Sequence, residues 1–370
     1  MMVSVKAPPR VTPTVRFLAT GAALAPMAME PFTLKLFVIT RKLAGQFTSF
    51  NGTNRGRVAR LNADGSLDTS FVTGTGANSN VNAVLVLTNN QVYIGGEFTD
   101  YNGTNSVNGT NISRLALLNS DGTFNTNFLC NVNGPIYTMA QQPDGRLVIG
   151  GSFTSVNSFN VTNVARINTD GSLDLSFVAT GVNNTVRAVV LQGDNKIVIG
   201  GDFNLVEGTT RNYFARLLTN GVLDTTFAPG SGPDGPILSL AMDSNAKIII
   251  GGAFTNYAGF VRSNFARIKS NGQPDPFFRI GQGADATVRV VMTQADTSIV
   301  IGGDFTSVNG IARNRVSRVH GDEVSNISTV EFSASTYVVD EYIGAATIGL
   351  VRYGATNQST DVTVVTTDGT

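Results

Sequence analysis

One short motif recurs along the chain and limits what it can fold into. Residues 196–203 read KIVIGGDF, and close variants stand at 91–98 (QVYIGGEF), 146–153 (RLVIGGSF), 247–254 (KIIIGGAF) and 298–305 (SIVIGGDF). The closing aromatic falls at Phe47, Phe98, Phe153, Phe203, Phe254 and Phe305, at intervals of 51, 55, 50, 51 and 51 residues. A second marker is a small residue followed by Arg and an apolar residue. It places Arg60, Arg114, Arg166, Arg216, Arg267 and Arg318 at intervals of 54, 52, 50, 51 and 51. Two markers with one period define six repeat units over residues 45–322.

Each unit reads as short strands. In the fourth, an apolar run at 186–191 (VRAVVL) meets a Gly-Asp-Asn turn, and a second run at 196–199 ends in Gly200-Gly201. A loop at 204–211 leads to a third run at 212–218, and Thr219-Asn220-Gly221 turns the chain into a short last strand at 223–227. Turns of this kind between apolar runs are strong hairpin signals, and four short antiparallel strands in about 50 residues make one propeller blade. Leucine-rich repeats are about half this length, and helical repeats need a 3.6-residue periodicity that these runs lack. The expected fold is therefore all-β, a β-propeller of about six four-stranded blades. The Gly-Gly pair suits a place where neighbouring chain passes close. The Phe after it is expected to wedge between blades, and the repeated Arg to donate to backbone carbonyls between blades. The first blade needs an inner strand from the atypical segment 1–44, and residues 34–39 (LKLFVI) can supply one.

The pattern IGGDFTSVNG at 301–310, with ARLNADGSLDTSF at 59–71, resembles the delta-60 repeat, a kelch-like family of bacterial β-propeller proteins. The resemblance implies a secreted or cell-surface protein and brings no established activity. After a linker at 323–330, residues 331–370 resemble the first half of a Calx-beta domain, a calcium-binding β-sandwich of surface and adhesion proteins. Phe332, Tyr337, Glu341, Gly344, Arg352, Gly354 and Asp368-Gly369-Thr370 carry that likeness. It implies calcium at Glu341 and Asp368, and a truncated sandwich. The expectation is a monomeric fragment of a longer multidomain chain.

Composition narrows the chemistry. Charged residues are 14% of the chain and sum to zero, so nothing points to nucleic acid. A single Cys, Cys130, excludes an internal disulfide and reads as a packed side chain. The one His, His320, follows the last repeat and reads as a surface or hinge residue. No apolar run has the roughly 18 residues of a membrane helix. Residues 17–28 read either as a short signal-peptide core or as part of a degraded repeat. The turns Asn62–Asp68 and Asn168–Asp174 place oxygen ligands at alternate positions as a calcium loop does, but they lack its final bidentate Glu. Units four and five have Asn220 and Asn271 at the central Asp position, and Asx turns explain the pattern without an ion.

Glu97, Asp202 and Asp304 share the position directly after Gly-Gly, where other units have Ser152 and Ala253. With Glu207 they are the acids to inspect for a cation or sugar hydroxyls. The loop at 102–111 is longer than its counterparts and makes Asn102 and Asn108 further ligand candidates. The functional expectation is a noncatalytic extracellular binding or scaffold module, adhesion-related, taking a glycan or a cell-surface protein. Two alternatives stand beside it: a carbohydrate-active hydrolase with channel-facing carboxylates, and a structural spacer.

Overall fold

The computed structural model describes residues 42–319, except 108, 179, 180, 279, 280, 295 and 297, together with the strands Phe37–Ile39, Thr329–Phe332 and Leu350–Tyr353. Among these residues there is no helix. The chain divides into two compact units, residues 1–177 and 178–370, and three blades fall in each.

In the second unit the blades are Val186–Leu191, Ile197–Gly201 and Phe214–Leu217; then Ile237–Met242, Ile248–Gly252 and Phe265–Ile268; then Val288–Thr293, Ile299–Gly303 and Val316–Val319. Each trio is one antiparallel sheet in chain order. The expected fourth strand is smaller than the sequence suggests. It reaches the sheet through a single bridge, Leu217 with Leu223 or Ile268 with Pro274. The loop between second and third strands holds an unexpected element, a hairpin of two-residue strands such as Leu205–Val206 with Thr209–Thr210. The β-propeller class stands, with three full strands, a minimal fourth and one added hairpin per blade.

The first unit follows the same plan with Val81–Val86, Val92–Gly96 and Leu115–Leu118, then Ile136–Gln141, Leu147–Gly151 and Val164–Ile167. Its first blade consists of Phe37–Ile39, Lys42–Ala44 and Val58–Arg60, so the inner strand does come from within residues 34–39.

Within each unit the cores lie between consecutive blades. One cluster joins Phe214 and Phe227 of the fourth blade to Ile237, Ile248, Phe254 and Tyr257 of the fifth. Another joins Ile249, Phe265 and Phe278 to Val288, Ile301 and Phe305. In the first unit, Tyr93, Leu117 and Phe128 pack with Ile136, Ile149 and Phe153. The Phe after Gly-Gly is thus the expected inter-blade wedge at Phe98, Phe153, Phe254 and Phe305, and Phe203 is likewise fully buried.

Gly-Gly has two separate causes. A Cβ on the first glycine would meet the next blade: at Gly200 it would come 2.6 Å from Ile237 Cγ2, and at Gly95 2.8 Å from Ile136 Cγ2. A Cβ on the second would strike the carbonyl oxygen of its own blade, Thr185 for Gly201, Asn80 for Gly96 and Thr287 for Gly303. That carbonyl belongs to the residue before the inner strand, and it accepts the N–H that follows Gly-Gly, as in Asp202 N to Thr185 O at 2.9 Å.

Candidate functional site

The two ends of a blade differ. One end has tight turns such as 192–196 and 218–222, in which the Asp or Asn side chain accepts the N–H two residues on. The other end has the Gly-Gly corner and the two-residue hairpin. There the inner strand starts with a β-bulge: register shifts occur between Val81 and Ala83, Ile136 and Thr138, Val186 and Ala188, Ile237 and Ser239, and Val288 and Val290. A bulge re-aims the extra side chain. Here it sets Asn82, Tyr137, Arg187, Leu238 and Arg289 in place fifteen residues before Glu97, Ser152, Asp202, Ala253 and Asp304.

This pairing decides the state of the candidate acids. Arg187 binds Asp202 through two contacts, Nε to Oδ1 at 2.7 Å and Nη2 to Oδ2 at 2.6 Å. Arg289 binds Asp304 in the same way, at 2.9 and 2.6 Å. Arg315 adds a contact to Asp304 at 3.5 Å, and the Arg289 hydrogen bond, outweighing partial burial, lowers the Asp304 carboxyl below its ordinary value. Glu97 accepts from neutral amides, Asn80 Nδ2 at 3.1 Å and Asn82 Nδ2 at 3.4 Å. Glu207 sits in a hairpin turn and accepts the Leu223 N–H at 3.2 Å. The acids after Gly-Gly are therefore held within their own blades, in pairs, as half-exposed side chains.

Asn102 is a turn residue of the hairpin end. Its φ is 54°, its Oδ1 accepts the Thr75 N–H at 3.0 Å, and its own N–H reaches Gly76 O at 2.7 Å. Asn157 and Asn309 do the same with Asn131 and Gly283. Asn108, His320, Glu341 and Asp368 lie outside the described residues. Cys130 is fully buried, and burial pushes its thiol up to about 12, which suits packing and not nucleophilic attack.

One repeat marker needs correction. Arg166, Arg216, Arg267 and Arg318 lie opposite Val148, Val198, Ile249 and Val300. In the second blade the residue opposite Tyr93 is Leu117, not Arg114. Arg114 has φ 68° and is the counterpart of Arg57, Asn163, Tyr213, Asn264 and Arg315, which also take the left-handed conformation before the third strand. The longer connection after Phe98 shifts the numbering, and Ser-Arg-Leu at 113–115 imitates the marker.

The repeated Arg also has a partner that spacing alone left unrecognised, an Asp eight residues later. Nε donates to Asp Oδ2 at 2.7 Å in Arg60–Asp68 and Arg166–Asp174, at 2.9 Å in Arg216–Asp224 and at 2.6 Å in Arg267–Asp275. Its guanidinium lies over the late aromatic, 4.8 Å from the Phe177 and Phe227 ring centres and 4.9 Å from Phe71 and Phe278. The expected bonds to carbonyls between blades exist as an addition, from Arg60 to Ser120 O and from Arg216 to Ser270 O. The second blade lacks both charges, with Leu117 and Asn125 in their places, and the edge of Tyr93 meets Phe128 instead at 5.1 Å.

These pairs are expected to make the fold acid-sensitive. Burial alone would raise the Asp224 carboxyl, but hydrogen bonds from Thr226 and the Arg216 guanidinium prevail and bring it to about 2. At Asp174 and Asp275 burial is likewise outweighed, by Ser176 with Arg166 and by Lys247 with Arg267, and both are lowered. A depressed folded value means stability that is full above the unfolded value of about 3.9 and disappears as pH falls through the folded one. Far-ultraviolet circular dichroism should therefore show unfolding between about pH 4 and pH 2. A signal flat over that range would contradict the assignment.

The Asp-rich turns follow the Asx reading. Asp64 accepts Ser66 N and Oγ at 2.9 and 2.6 Å, Asp170 does the same with Ser172, and Asp68 and Asp174 bind their Arg partners. Among the described residues no group of three or more His, Cys, Asp or Glu is placed to hold a metal ion.

Residues 43–71, 87–128, 142–177, 192–227, 244–278 and 294–322 match the family described as Domain of unknown function (DUF5122) beta-propeller, and together they span more than half of the chain. The chain belongs to this family. The match falls on the second and third strands of all six blades and ends at residue 322. It lends nothing to the Calx-beta resemblance expected of residues 331–370, and beyond residue 322 the described structure is one antiparallel pair, Thr329–Phe332 with Leu350–Tyr353. No curated protein matches the chain. Among solved structures, the extracellular domain of the hybrid two component system BT3049 from B. thetaiotaomicron is similar over 89% of this chain and 39% of its own, at 12% identity and a TM-score of 0.47. Virginiamycin B lyase from Staphylococcus aureus is similar over 77% and 82%, at 12% identity and 0.43. A gluconolactonase, XC5397 from Xanthomonas campestris, is similar over 66% and 75%, at 14% and 0.37.

Proposed function

We propose that this propeller is a noncatalytic binding or scaffold module of a secreted or surface protein, adhesion-related, that takes a glycan or protein partner at the hairpin ends of its blades. The observation that supports this reading is a division of labour at that end. The acids there are held by their own blades, whereas the hairpins expose apolar side chains: Phe159 at 50%, Val261 at 67% and Ile311 at 57%. Arg262 and Arg313 follow directly and donate to the carbonyls of Val261 and Ala312, which holds them beside the exposed residues. A rigid blade that presents apolar groups rimmed by donors offers a contact surface, and loops on a rigid scaffold commonly carry recognition. Hydrolysis by paired carboxylates fits less well, since Asp202 and Asp304 are each bound to an Arg.

The test uses the intact chain on a glycan array and against surface extracts, with calcium and again with a chelator. The expected result is selective binding that the double variant Val261→Ser/Ile311→Ser weakens by at least about tenfold, since burial of each such side chain contributes roughly 1.5–3 kcal/mol. Loss on chelation would add calcium to the reading. Binding unaffected by the hairpin variant, or release of sugar products, would overturn it.

A further inference from the structure

Asparagine followed by glycine is chemically labile, because glycine has no Cβ to keep its backbone nitrogen away from the asparagine side chain. That nitrogen bonds to Cγ and ammonia leaves. Water then opens the succinimide at one carbonyl to give aspartate, or at the other to give isoaspartate. A fold slows the reaction by holding the side-chain amide or the glycine N–H in hydrogen bonds.

Of the seven Asn-Gly pairs, Asn108-Gly109 includes a residue outside the described ones, and five of the others are held in this way. Asn102 Oδ1 accepts Thr75 N, and Gly103 N donates to Asp100 Oδ1 at 2.8 Å. Asn133 Oδ1 accepts Thr154 N and Ser155 N, both at 2.9 Å. Asn220 and Asn271 sit in Asx turns, with Gly221 N and Gly272 N on the carbonyls of Leu218 and Lys269. Asn309 Oδ1 accepts Gly283 N at 2.9 Å.

Asn51-Gly52 differs. It is the turn of the first blade's hairpin, Ser49–Phe50 with Thr53–Asn54, and both residues are exposed. Among the described residues neither the Asn51 side chain nor the Gly52 N–H has a hydrogen-bond partner, and no atom lies within 4 Å of where a Gly52 Cβ would stand. In the blades of Asn102, Asn157 and Asn309, the turn that leads into the blade supplies the missing donor.

We propose that Asn51 is a site of spontaneous deamidation, the fastest of these six pairs in the folded chain. Isoaspartate there lengthens the turn by one backbone atom, and the hairpin has only two residue pairs to resist it. Phe50, buried beside Leu43, Ala59 and Leu61, is then pulled on by its own turn. The modification changes charge and shape at the hairpin end of one blade without an enzyme.

The full chain would be kept at pH 8.5 and 37 °C and mapped by peptide mass spectrometry, with isoaspartyl methyltransferase to report isoaspartate. The expected result is a gain of 1 Da at Asn51 at least about ten times faster than at Asn102, Asn133, Asn220, Asn271 or Asn309. In urea the six rates should converge, which shows that the fold sets the order. Asn51→Ser should remove the isoaspartate signal from that peptide. A folded-state rate at Asn51 no faster than at Asn102 would overturn the proposal.

Discussion

Asp275→Ala is expected to destabilise the chain by about 3–5 kcal/mol, read as a lower urea midpoint with little change in slope. Asp275 is 0% exposed and its partner Arg267 2%. Removing the carboxylate strands a guanidinium in a dry contact between blades, where it lies over Phe278. Lys247, whose Nζ is 2.9 Å from Asp275 Oδ2, reaches solvent more readily and suffers less. The chain contains its own control. In the second blade Gln91, Leu117 and Asn125 stand where Lys247, Arg267 and Asp275 stand in the fifth, and that contact packs without charge. The triple variant Lys247→Gln/Arg267→Leu/Asp275→Asn is therefore expected to recover at least half of the loss, because a buried pair costs most when it is halved. A triple variant no better than Asp275→Ala would show that the ion pair itself stabilises the contact.

The glycines give the second large effect. Gly251→Ala places a methyl group 2.6 Å from Val291 Cγ1 and 2.8 Å from Val288 Cγ1 on the next blade, an overpacking that costs about 1–3 kcal/mol. Gly201→Ala is expected to cost more, about 3 kcal/mol or above, because its obstacle is the Thr185 carbonyl and backbone cannot rotate aside. Again the sequence holds a comparison: the first blade has Ala44 in the first position, whereas all six blades keep the second glycine, Gly45 through Gly303. Thermal or urea unfolding of the two variants decides the order, and a Gly201→Ala loss below that of Gly251→Ala would refute this account of the corner.

Much of the blade was legible because strands and turns are written locally. The run predicted at 186–191 is the observed inner strand, and the second strand was misplaced at its start by a single residue. The two-residue hairpins escaped because strands that short have no periodicity to read. The bulge escaped because it is an offset between strands and leaves no residue-type signal. Asp202 and Asp304 looked like free ligands for the same reason. Their partners Arg187 and Arg289 stand fifteen residues upstream, a spacing that becomes meaningful once the bulge re-aims the side chains. Arg114 was misassigned where a longer connection broke the period, although the eight-residue Arg-to-Asp spacing of the other units carried the signal to correct it.

The fifteen-residue couple at the bulged corner has a consequence for how such a protein changes over time. The two positions lie on the same blade and vary from blade to blade, as Asn with Glu, Tyr with Ser, Arg with Asp or Leu with Ala, and the Asn–Glu and Arg–Asp couples bond within their blade. A lineage can exchange one Arg–Asp couple for another, or duplicate a whole repeat with its couple, and keep the charge balanced inside one blade. Each blade then behaves like a letter drawn from a small alphabet, and the surface at that corner can be respelled one letter at a time on an unchanged frame.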